Sequence, residues 1–302
     1  MPAQFHILVT GASGGLANGI IQALLRAGIR VTATSRSKEA ISSLSFYNQV
    51  EFKEWDLNDS PVALYNYFGQ PDAVLHLAWE LLSDLKNPAH ENEILDKQKM
   101  FLKNLIDGGL KDLTVVGTAY EYGMKSGECY ETDNSEPIVP YGNGKNLLRI
   151  YLESLQKQHS FCLKWIRLFN VFSEGRKGKN LYSHLMIAIE SKQQAFNMSG
   201  GEQIRDYMYG EEAANKLAAI SLQTEITGII NCCSGSPIQL KDMILKFMSE
   251  NGLHIPLNLG FYPYLGHEPM QQWGNPSKMN KALVAAQKNF SEFIFKTTVT
   301  SQ

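Results

Sequence analysis

The segment YGNGK places Tyr141 four residues before Lys145, the spacing at which two side chains lie on one face of an α-helix. A lysine ammonium beside a phenol stabilises the phenolate and lowers the pKa of the phenol, so the two residues have the composition of a general acid/base pair. With 13 tyrosines in the chain, a pair at this spacing also arises by chance. Tyr141 would then be an ordinary half-buried helix tyrosine, and the rest of the sequence has to decide between the two interpretations.

A second candidate site is the segment VTGASGGLA, in which Gly11, Gly14 and Gly15 follow a strand-like run and precede a helical pattern. A glycine-rich turn at this place lets the backbone N–H groups of a helix N-terminus bind a pyrophosphate. The third position of a GxxGxxG pattern is Ala17, which is small but not a strict match. The segment can also be an ordinary turn, but its strand and helix flanks favour a dinucleotide site.

The end of the next strand-like run, TATSRSK, indicates which dinucleotide would bind. An NAD site usually has an acidic residue there, which contacts the adenosine ribose hydroxyls. This chain has Ser35 and Arg36 at that place, and Lys38 follows. A guanidinium suits a ribose phosphate, so we expect NADP(H) rather than NAD(H). The alternative is that Arg36 is a solvated surface residue.

Short β-rich runs alternate with helical patterns in the first half, which predicts βαβ units and a parallel sheet covered by helices on both faces. After residue 170 the alternation loosens, and glycine- and proline-rich stretches separate the helices. We therefore expect a nucleotide-binding first part and a smaller, irregular α/β substrate region. The predicted strands are 5–10, 29–35, 50–56, 72–79, 112–117 and 162–170, and the predicted helices are 16–28, 61–69, 90–107, 141–157, 181–191, 210–222, 238–249 and 276–287.

The charge of the chain argues against nucleic acid and anionic membranes as partners. The 302 residues carry a formal net charge of −2. The densest basic run is GRKGKN at 175–180, which is short for such a surface. An anionic small molecule remains a possible ligand.

The start of the chain and its cysteines bear on location and redox state. Neither a signal-peptide pattern nor an apolar run long enough for a membrane helix is found, so we expect a cytoplasmic protein. The cysteines lack the paired spacing of a zinc site, and we expect no metal. We predict buried, reduced thiols at Cys129, Cys162, Cys232 and Cys233.

Six ordered segments give the Tyr141–Lys145 pair its context. Their order and approximate spacing resemble those of the extended short-chain dehydrogenases/reductases, the nucleotide-sugar epimerase and dehydratase family. The resemblance implies a Rossmann-type, doubly wound parallel sheet at 1–169, rejoined by about 208–234, and a nucleotide-sugar-binding region at 170–207 and 235–302. The segments are VTGASGGLA, the pair Asp56 and Leu57, DAVLHLAW at 72–79, GTAYEYG at 117–123, PYGNGK at 140–145 and RLFNVF at 167–172.

The resemblance also implies roles for individual residues. Thr118 takes the place of the catalytic Ser or Thr of the family, Tyr141 is the acid/base, and Lys145 is its partner. Gln98 lies roughly where some members carry a helix asparagine. The residues implied to bind cofactor are Gly11, Ser13, Gly14, Gly15, Leu16, Arg36, Asp56, Leu57, Leu77, Ala78, Trp79, Tyr141 and Lys145. The residues implied to bind substrate are Trp79, Thr118, Tyr120, Asn170, Asn180 and Arg205, of which Arg205 matches the diphosphate-binding arginine of the family.

The segment after Thr118 narrows the reaction. The 4,6-dehydratases of the family place Asp and Glu directly after the threonine, whereas this chain has Ala119 and Tyr120, with Glu121 one position late. Alanine cannot transfer a proton, so sugar dehydration is not expected. The segments HLAWE and GTAYEYG resemble those of nucleotide-linked 4-keto-6-deoxysugar reductases of surface-polysaccharide biosynthesis.

We therefore predict NADPH-dependent reduction of the C4 keto group of a nucleotide-linked 4-keto-6-deoxysugar. A nucleotide-sugar 4-epimerase is the nearest alternative. A non-catalytic NADP-sensing protein is a further one, although such a protein would be expected to lose the tyrosine and lysine that are present here. Members of the family commonly dimerise through helices flanking the sheet, so we expect a homodimer formed by the helices near 90–107 and 141–157.

Overall fold

The computed structural model of the chain describes residues 4–59, 63–173 and 180–289. The start of the helix predicted at 61–69, most of the basic run at 175–180, and the end of the C-terminal region after residue 289 lie outside these ranges.

Strands and helices alternate through the first part of the chain, as predicted. The strands are β1 (His6–Thr10), β2 (Arg30–Ser35), β3 (Glu51–Glu54), β4 (Ala73–His76), β5 (Asp112–Thr118), β6 (Gly127–Cys129), β7 (Cys162–Leu168), β8 (Asn170–Phe172), β9 (Phe196–Asn197), β10 (Ile204–Tyr209), β11 (Gly228–Cys232), β12 (Pro237–Gln239), β13 (Leu257–Asn258) and β14 (Gln271–Gly274). The helices are α1 (Ala17–Arg26), α2 (Glu39–Ser42), α3 (Leu64–Tyr67), α4 (Glu93–Asp107), α5 (Pro140–Leu155), α6 (Leu181–Glu190), α7 (Gly210–Ser221), α8 (Leu240–Glu250) and α9 (Ser277–Asn289).

A seven-stranded parallel sheet forms the centre of the fold, in the order β11-β7-β5-β4-β1-β2-β3. The chain builds outward from β1 through β2 to β3 and then returns to the other side of β1 with β4. The direction of winding therefore reverses between β1 and β4, and the carboxyl ends of these two strands border the crevice where such sheets bind ligands. The fold is the predicted α/β Rossmann type.

Helices cover both faces of this sheet because most of the side chains on each face are apolar and buried. On one face, α1, α7 and α9 pack around Ile7, Val9 and Ile166. On the other face, α3, α4 and α5 pack around Leu8, Val74 and other buried side chains. The helical spacing of the apolar residues in α1 follows from this packing, since they are the residues buried against the sheet and α7.

The second part of the chain is built around β10, as a sheet in the order β12-β10-β14-β6 with β8 also paired to β10. A two-stranded sheet of β9 and β13, together with α6 and α8, encloses a separate apolar cluster. Two elements depart from the predicted division of the chain. The strand β6 lies in the smaller sheet, and α9 packs against α7 and β11, where Met279 and Ala282 join the core of the larger sheet.

The four cysteines are free thiols. Cys129, Cys232 and Cys233 are buried as predicted. Cys162 is partly exposed because it is the first residue of β7 and lies at the amino ends of the parallel strands. Among the helices in the described ranges, none combines the length and apolar character needed to cross a membrane. These residues also contain no cluster of three or more His, Cys, Asp or Glu that could hold a metal ion.

Candidate active site

The glycine turn lies at the crevice between β1 and β4. Gly11 has a φ of +69°, and a Cβ at this position would lie 2.8 Å from the backbone nitrogen of Ala78. Glycine is therefore required both by the backbone conformation and by the close approach of the segment after β4. The Gly14 N–H donates to the Gly11 carbonyl (2.8 Å), and the Ala17 N–H donates to the Gly14 carbonyl (3.0 Å), which leads the turn into α1.

The turn leaves backbone donors available for an anion. The N–H groups of Ser13, Gly15 and Leu16 donate to no group within the described residues. They lie at the N-terminus of the ten-residue helix α1, whose dipole also favours negative charge. The turn thus fits the diphosphate of a dinucleotide. Close packing of α1 against α7 also requires Gly19, where a Cβ would lie 2.8 Å from the Ala214 side chain of α7, and Ala17 is fully buried.

The end of β2 carries the residues predicted to select the cofactor. Ser35 is buried and its hydroxyl donates to the Ser37 carbonyl (2.9 Å). Arg36 is more than half exposed, and its Nη1 pairs with Oε1 of Glu80 at 2.8 Å. Glu80 follows β4, so the pair joins the ends of β2 and β4. Sequence reasoning did not find Glu80, because the pairing joins two residues that are 44 positions apart in the chain.

Asp56 and Leu57 follow β3 at the same edge of the sheet. The carboxylate of Asp56 accepts hydrogen bonds from the backbone (2.8 Å) and side chain (2.6 Å) of Asn58. Leu57 packs at the margin of the core beneath α3 and α4. That the two residues flank the adenine of a cofactor, as the resemblance implies, stays a prediction.

A buried polar network connects β1, β4 and α4 below the crevice. His76 is fully buried and contacts the Thr10 hydroxyl through Nδ1 (2.9 Å) and Gln98 Oε1 through Nε2 (2.6 Å). Burial lowers the pKa of His76 to about 3, so the ring is neutral. The hydroxyl of Thr10 also accepts from the N–H groups of Leu77 and Ala78, and Gln98 donates to the Ala78 carbonyl. The segment that follows β4 and borders the crevice is therefore hydrogen-bonded to β1 through Thr10 and to α4 through Gln98.

The three residues predicted to be catalytic converge at the carboxyl end of β5. Thr118 is the last residue of β5, and Tyr141 and Lys145 lie on the first turns of α5, which begins with Pro140, a residue suited to the first helical position. The Thr118 side chain lies close enough to Tyr141 to lower the pKa of its phenol. The Lys145 ammonium donates to the carbonyl of Val116 (2.7 Å), two residues before Thr118 in β5.

The electrostatics of this group differ from those of the residues in water. Burial raises the pKa of Tyr141, while the neighbouring Thr118 side chain acts in the opposite direction. Burial lowers the pKa of Lys145 to about 7, and the negative charge of Glu121 opposes that shift. The Lys145 ammonium also lies 4.0 Å from the centroid of the Trp79 ring, a cation–π contact that favours the charged form.

Aromatic side chains surround the phenol of Tyr141. The rings of Trp79 and Tyr120 each lie edge-on to it, with centroids 6.2 Å away. Trp79 is fixed by a hydrogen bond from its Nε1 to Nδ1 of His90 (3.0 Å). Tyr141 is thus packed among the aromatic rings of Trp79, Tyr120 and His90.

The cationic residue predicted for the substrate diphosphate lies behind Tyr120. Arg205 is largely buried, and its Nη2 is 3.3 Å from Oε2 of Glu268. The other carboxylate oxygen of Glu268 accepts a hydrogen bond from the Tyr120 hydroxyl (2.6 Å). The structure therefore brings Tyr120 and Arg205 together through a carboxylate that sequence reasoning did not find.

Asn170 and Asn180 are engaged in local structure. The Asn170 amide donates to the Asp206 carbonyl (3.1 Å) between β8 and β10. The Asn180 side chain caps α6, accepting from the Ser183 N–H (2.8 Å) and donating to the Ser173 carbonyl (2.9 Å). Each asparagine would have to exchange these bonds for a substrate contact.

The comparison with protein families agrees with this fold. The model of the NAD dependent epimerase/dehydratase family matches residues 7–233, about three quarters of the chain. The chain therefore belongs to the NAD-dependent epimerase/dehydratase family. The match extends from β1 to just past β11 and so includes the glycine turn and all seven strands of the large sheet.

Individual relatives span nearly the whole chain. The dTDP-6-deoxy-L-talose 4-dehydrogenase (NAD(+)) of Aggregatibacter actinomycetemcomitans is 27% identical over 274 residues, covering 89% of this chain and 99% of that protein. UDP-arabinose 4-epimerase 1 of Arabidopsis thaliana is 23% identical, covering 93% and 75%. Among solved structures, UDP-glucuronic acid 4-epimerase from Bacillus cereus, in complex with UDP-glucuronic acid and NAD, superposes with a TM-score of 0.78 at 21% identity, covering 96% and 98%.

Proposed function

We propose that this protein reduces the C4 keto group of a nucleotide-linked 4-keto-6-deoxysugar with NADPH. The observation that carries the proposal is the convergence of Thr118, Tyr141 and Lys145 at the strand edge next to the glycine turn. A relative of similar length is a 4-dehydrogenase of a dTDP-6-deoxysugar, which interconverts the same two oxidation levels at C4.

In the proposed mechanism the chain positions the carbonyl and supplies its proton. A bound nicotinamide supplies the hydride that C4 accepts. Thr118 donates a hydrogen bond to the carbonyl oxygen, and Tyr141 transfers its phenolic proton to that oxygen as the hydroxyl forms. The Lys145 ammonium stabilises the phenolate left behind, and it also binds the nicotinamide ribose. Trp79 and Tyr120 exclude water from the sugar ring.

The substrate is proposed to lie between the carboxyl edge of the large sheet and the region formed by β8 to β10 and β12 to β14. Arg205 would hold the diphosphate, and Asn170 and Asn180 would contact nearby groups. Relatives named for dTDP-, UDP- and CDP-sugars support a nucleotide sugar as the ligand. The exposed side chains of Met100 on α4 and Ile150 on α5 suit the proposed homodimer through these two helices.

A reductase has to exchange its cofactor in every cycle, whereas an epimerase of the family keeps a tightly held NAD. Arg36 supports NADPH and hence the reductase. The 4-epimerase is retained as the second candidate because relatives with that name cover most of the chain. The test is to add NADPH and a panel of 4-keto-6-deoxysugar nucleotides and follow absorbance at the nicotinamide band. Stoichiometric oxidation supports reduction, and isomerisation of a sugar nucleotide without net NADPH consumption supports the epimerase.

Replacing Arg36 by alanine is expected to weaken NADPH binding by roughly tenfold or more and NADH binding by less than about threefold. The reason is that a hydrogen bond to a charged group contributes about 1.5–3 kcal/mol, and only NADPH carries the ribose phosphate. Titration calorimetry with both cofactors measures the two losses. Lys38→Ala, which removes a neighbouring cation, is the matched control. Equal losses for NADPH and NADH in Arg36→Ala would show that Arg36 does not contact the phosphate.

Replacing Arg205 by alanine is expected to raise the KM of the nucleotide sugar at least roughly tenfold and to leave NADPH affinity unchanged, because the lost charge acts on the substrate alone. Glu268→Gln is the matched variant. It keeps the side-chain volume but removes the carboxylate that competes for Arg205, so the KM should stay the same or fall. Steady-state kinetics and NADPH titration measure both effects. An unchanged KM in Arg205→Ala would remove this residue from the substrate site.

A further inference from the structure

A buried ion pair lies directly behind the proposed catalytic group. Glu121 is fully buried, and its carboxylate accepts hydrogen bonds from the backbone N–H of Thr118 (2.9 Å), from Nε1 of Trp165 (2.9 Å) and from Nε of Arg167 (3.0 Å). Glu121 therefore faces the core and cannot serve as a dehydratase acid. Its carboxylate instead caps the short helical turn Ala119–Tyr122 by accepting from the backbone of Thr118, the residue before that turn.

Arg167 completes the pair from β7, where it lies next to Gly117 of β5 in the parallel register. Its Nη2 donates to the Ser135 hydroxyl, and its guanidinium stacks 4.2 Å from the centroid of the Tyr122 ring. A Cβ at position 117 would collide with Oε1 of Glu121, so Gly117 is the residue that leaves room for the carboxylate.

Stability alone does not account for such a pair, because the cost of desolvating two charges offsets most of their attraction, and apolar replacements of similar volume are often equally stable. Its position offers another explanation. The Glu121 carboxylate accepts from the Thr118 N–H, and the Lys145 ammonium donates to the carbonyl of Val116, two residues earlier in β5, so both charges lie at the same strand end. There the negative charge opposes the fall in the pKa of Lys145 that burial causes, and it adds to the rise in the pKa of Tyr141.

We propose that Glu121, paired with Arg167, is a positioning residue that fixes the Thr118 turn and places a permanent negative charge behind the Tyr141–Lys145 couple. The charge has a defined consequence for the reaction. Carbonyl reduction needs a protonated Tyr141 and a charged Lys145. Glu121 favours both states, so it extends the active range to higher pH. The inference rests on the proposed catalytic roles of Tyr141 and Lys145.

The other groups that face Lys145 do not duplicate this charge. His76 of β4 is neutral, since its pKa is about 3. Trp79 offers only its ring face, and Val116 only its carbonyl. Tyr141, one turn away on α5, has its pKa raised and is uncharged. Among these groups, Glu121 is the one whose negative charge opposes the effect of burial on the pKa of Lys145.

The electrostatic test is the Glu121→Gln/Arg167→Met double variant, which removes both buried charges and leaves no unpaired ion. NMR of lysine labelled at the ε-carbon follows the titration of Lys145 in the free protein, with the signal assigned by its absence in Lys145→Arg. The midpoint is expected to fall by about one pH unit, the lower end of the shift caused by a neighbouring opposite charge. No substrate is needed, so the result is independent of whether the proposed reaction is correct.

The chain provides a matched control at the opposite end of the same strands. Lys164 and Asp112 form a second buried ion pair (2.8 Å), with Asp112 at the first residue of β5. The double variant Asp112→Asn/Lys164→Met also removes two buried charges, but about 20 Å away at roughly 3.3 Å per residue. It should change thermal stability to a similar extent and leave the Lys145 midpoint where it is in the wild type.

The positioning role is tested by amide hydrogen exchange at Thr118. A glutamine at position 121 still offers a carbonyl oxygen to the Thr118 N–H, so exchange should remain slow in Glu121→Gln/Arg167→Met. In Glu121→Ala/Arg167→Met the acceptor is lost, and exchange should accelerate at least roughly tenfold, the loss of one hydrogen bond. An unchanged Lys145 midpoint in the first double variant, or unchanged Thr118 exchange in the second, would overturn the proposal.

Discussion

The variant Tyr141→Phe is expected to reduce 4-keto substrates at least roughly 10²-fold more slowly than the wild type, the loss typical of a missing general acid. The substitution keeps the ring, and therefore its edge contacts with Trp79, His90 and Tyr120. It removes only the hydroxyl, which lies next to the Thr118 side chain. NADPH affinity and melting temperature should consequently stay close to wild type. Single-turnover kinetics measure the loss, because product release cannot mask the chemical step under those conditions.

Two further variants show whether the effect belongs to the proton donor. Tyr151→Phe removes a phenol from the same helix, where Tyr151 packs on the outer side beneath Lys99, and should leave kcat unchanged. Thr118→Val removes one hydroxyl and should slow the chemical step with little effect on NADPH affinity. If Tyr141→Phe reduced substrate at a near-normal rate, another group would have to be the acid, and Tyr141 would be a packing residue.

Replacing Lys145 by methionine is expected to damage both chemistry and cofactor binding, because the ammonium is assigned to the phenolate and to the nicotinamide ribose. Burial lowers the pKa of Lys145 to about 7, so the free wild-type enzyme loses this charge as the pH rises through that value. The kcat/KM for reduction, which reports the free enzyme, should therefore be highest below about pH 7 and fall above it. In Lys145→Met, kcat/KM should be at least roughly 10²-fold lower, and this decline should be absent.

The measurement is the pH profile of kcat/KM together with NADPH titration for the wild type and the variant. Lys99→Met, on α4, is the control, since it removes an amine that ion-pairs with Asp96 at the surface. A variant at Lys145 that bound NADPH normally and kept the wild-type pH profile would contradict both assigned roles.

Much of the fold follows from local sequence. The apolar spacing of α1, the β-rich runs and the glycines of the turn depend on neighbouring residues, so short segments predict them. Gly11 is an example, since only glycine adopts its backbone conformation without strain. The four-residue spacing of Tyr141 and Lys145 is likewise local, because one helix carries both.

The contacts that the sequence could not predict join distant parts of the chain. Glu268 reaches Tyr120 across 148 residues, and its position depends on how the loop before β14 folds back over the smaller sheet. The pairing of Glu80 with Arg36 requires β2 and β4 to flank the same crevice. The helix α9 has an ordinary amphipathic pattern. That pattern predicts a buried face, but it does not predict that this face packs against α7 instead of the smaller sheet.

The most direct test of the proposed reaction follows the hydride itself. The enzyme is incubated with NADPH deuterated at C4 of the nicotinamide, in each stereoisomer separately, and with an NDP-4-keto-6-deoxyhexose, and the product is examined by NMR. Reduction predicts one deuterium at C4 of the 6-deoxyhexose, from one of the two stereoisomers, with one NADPH oxidised per product formed. A substrate left unreduced, or a sugar nucleotide epimerised at C4 while NADPH is not consumed, would contradict it.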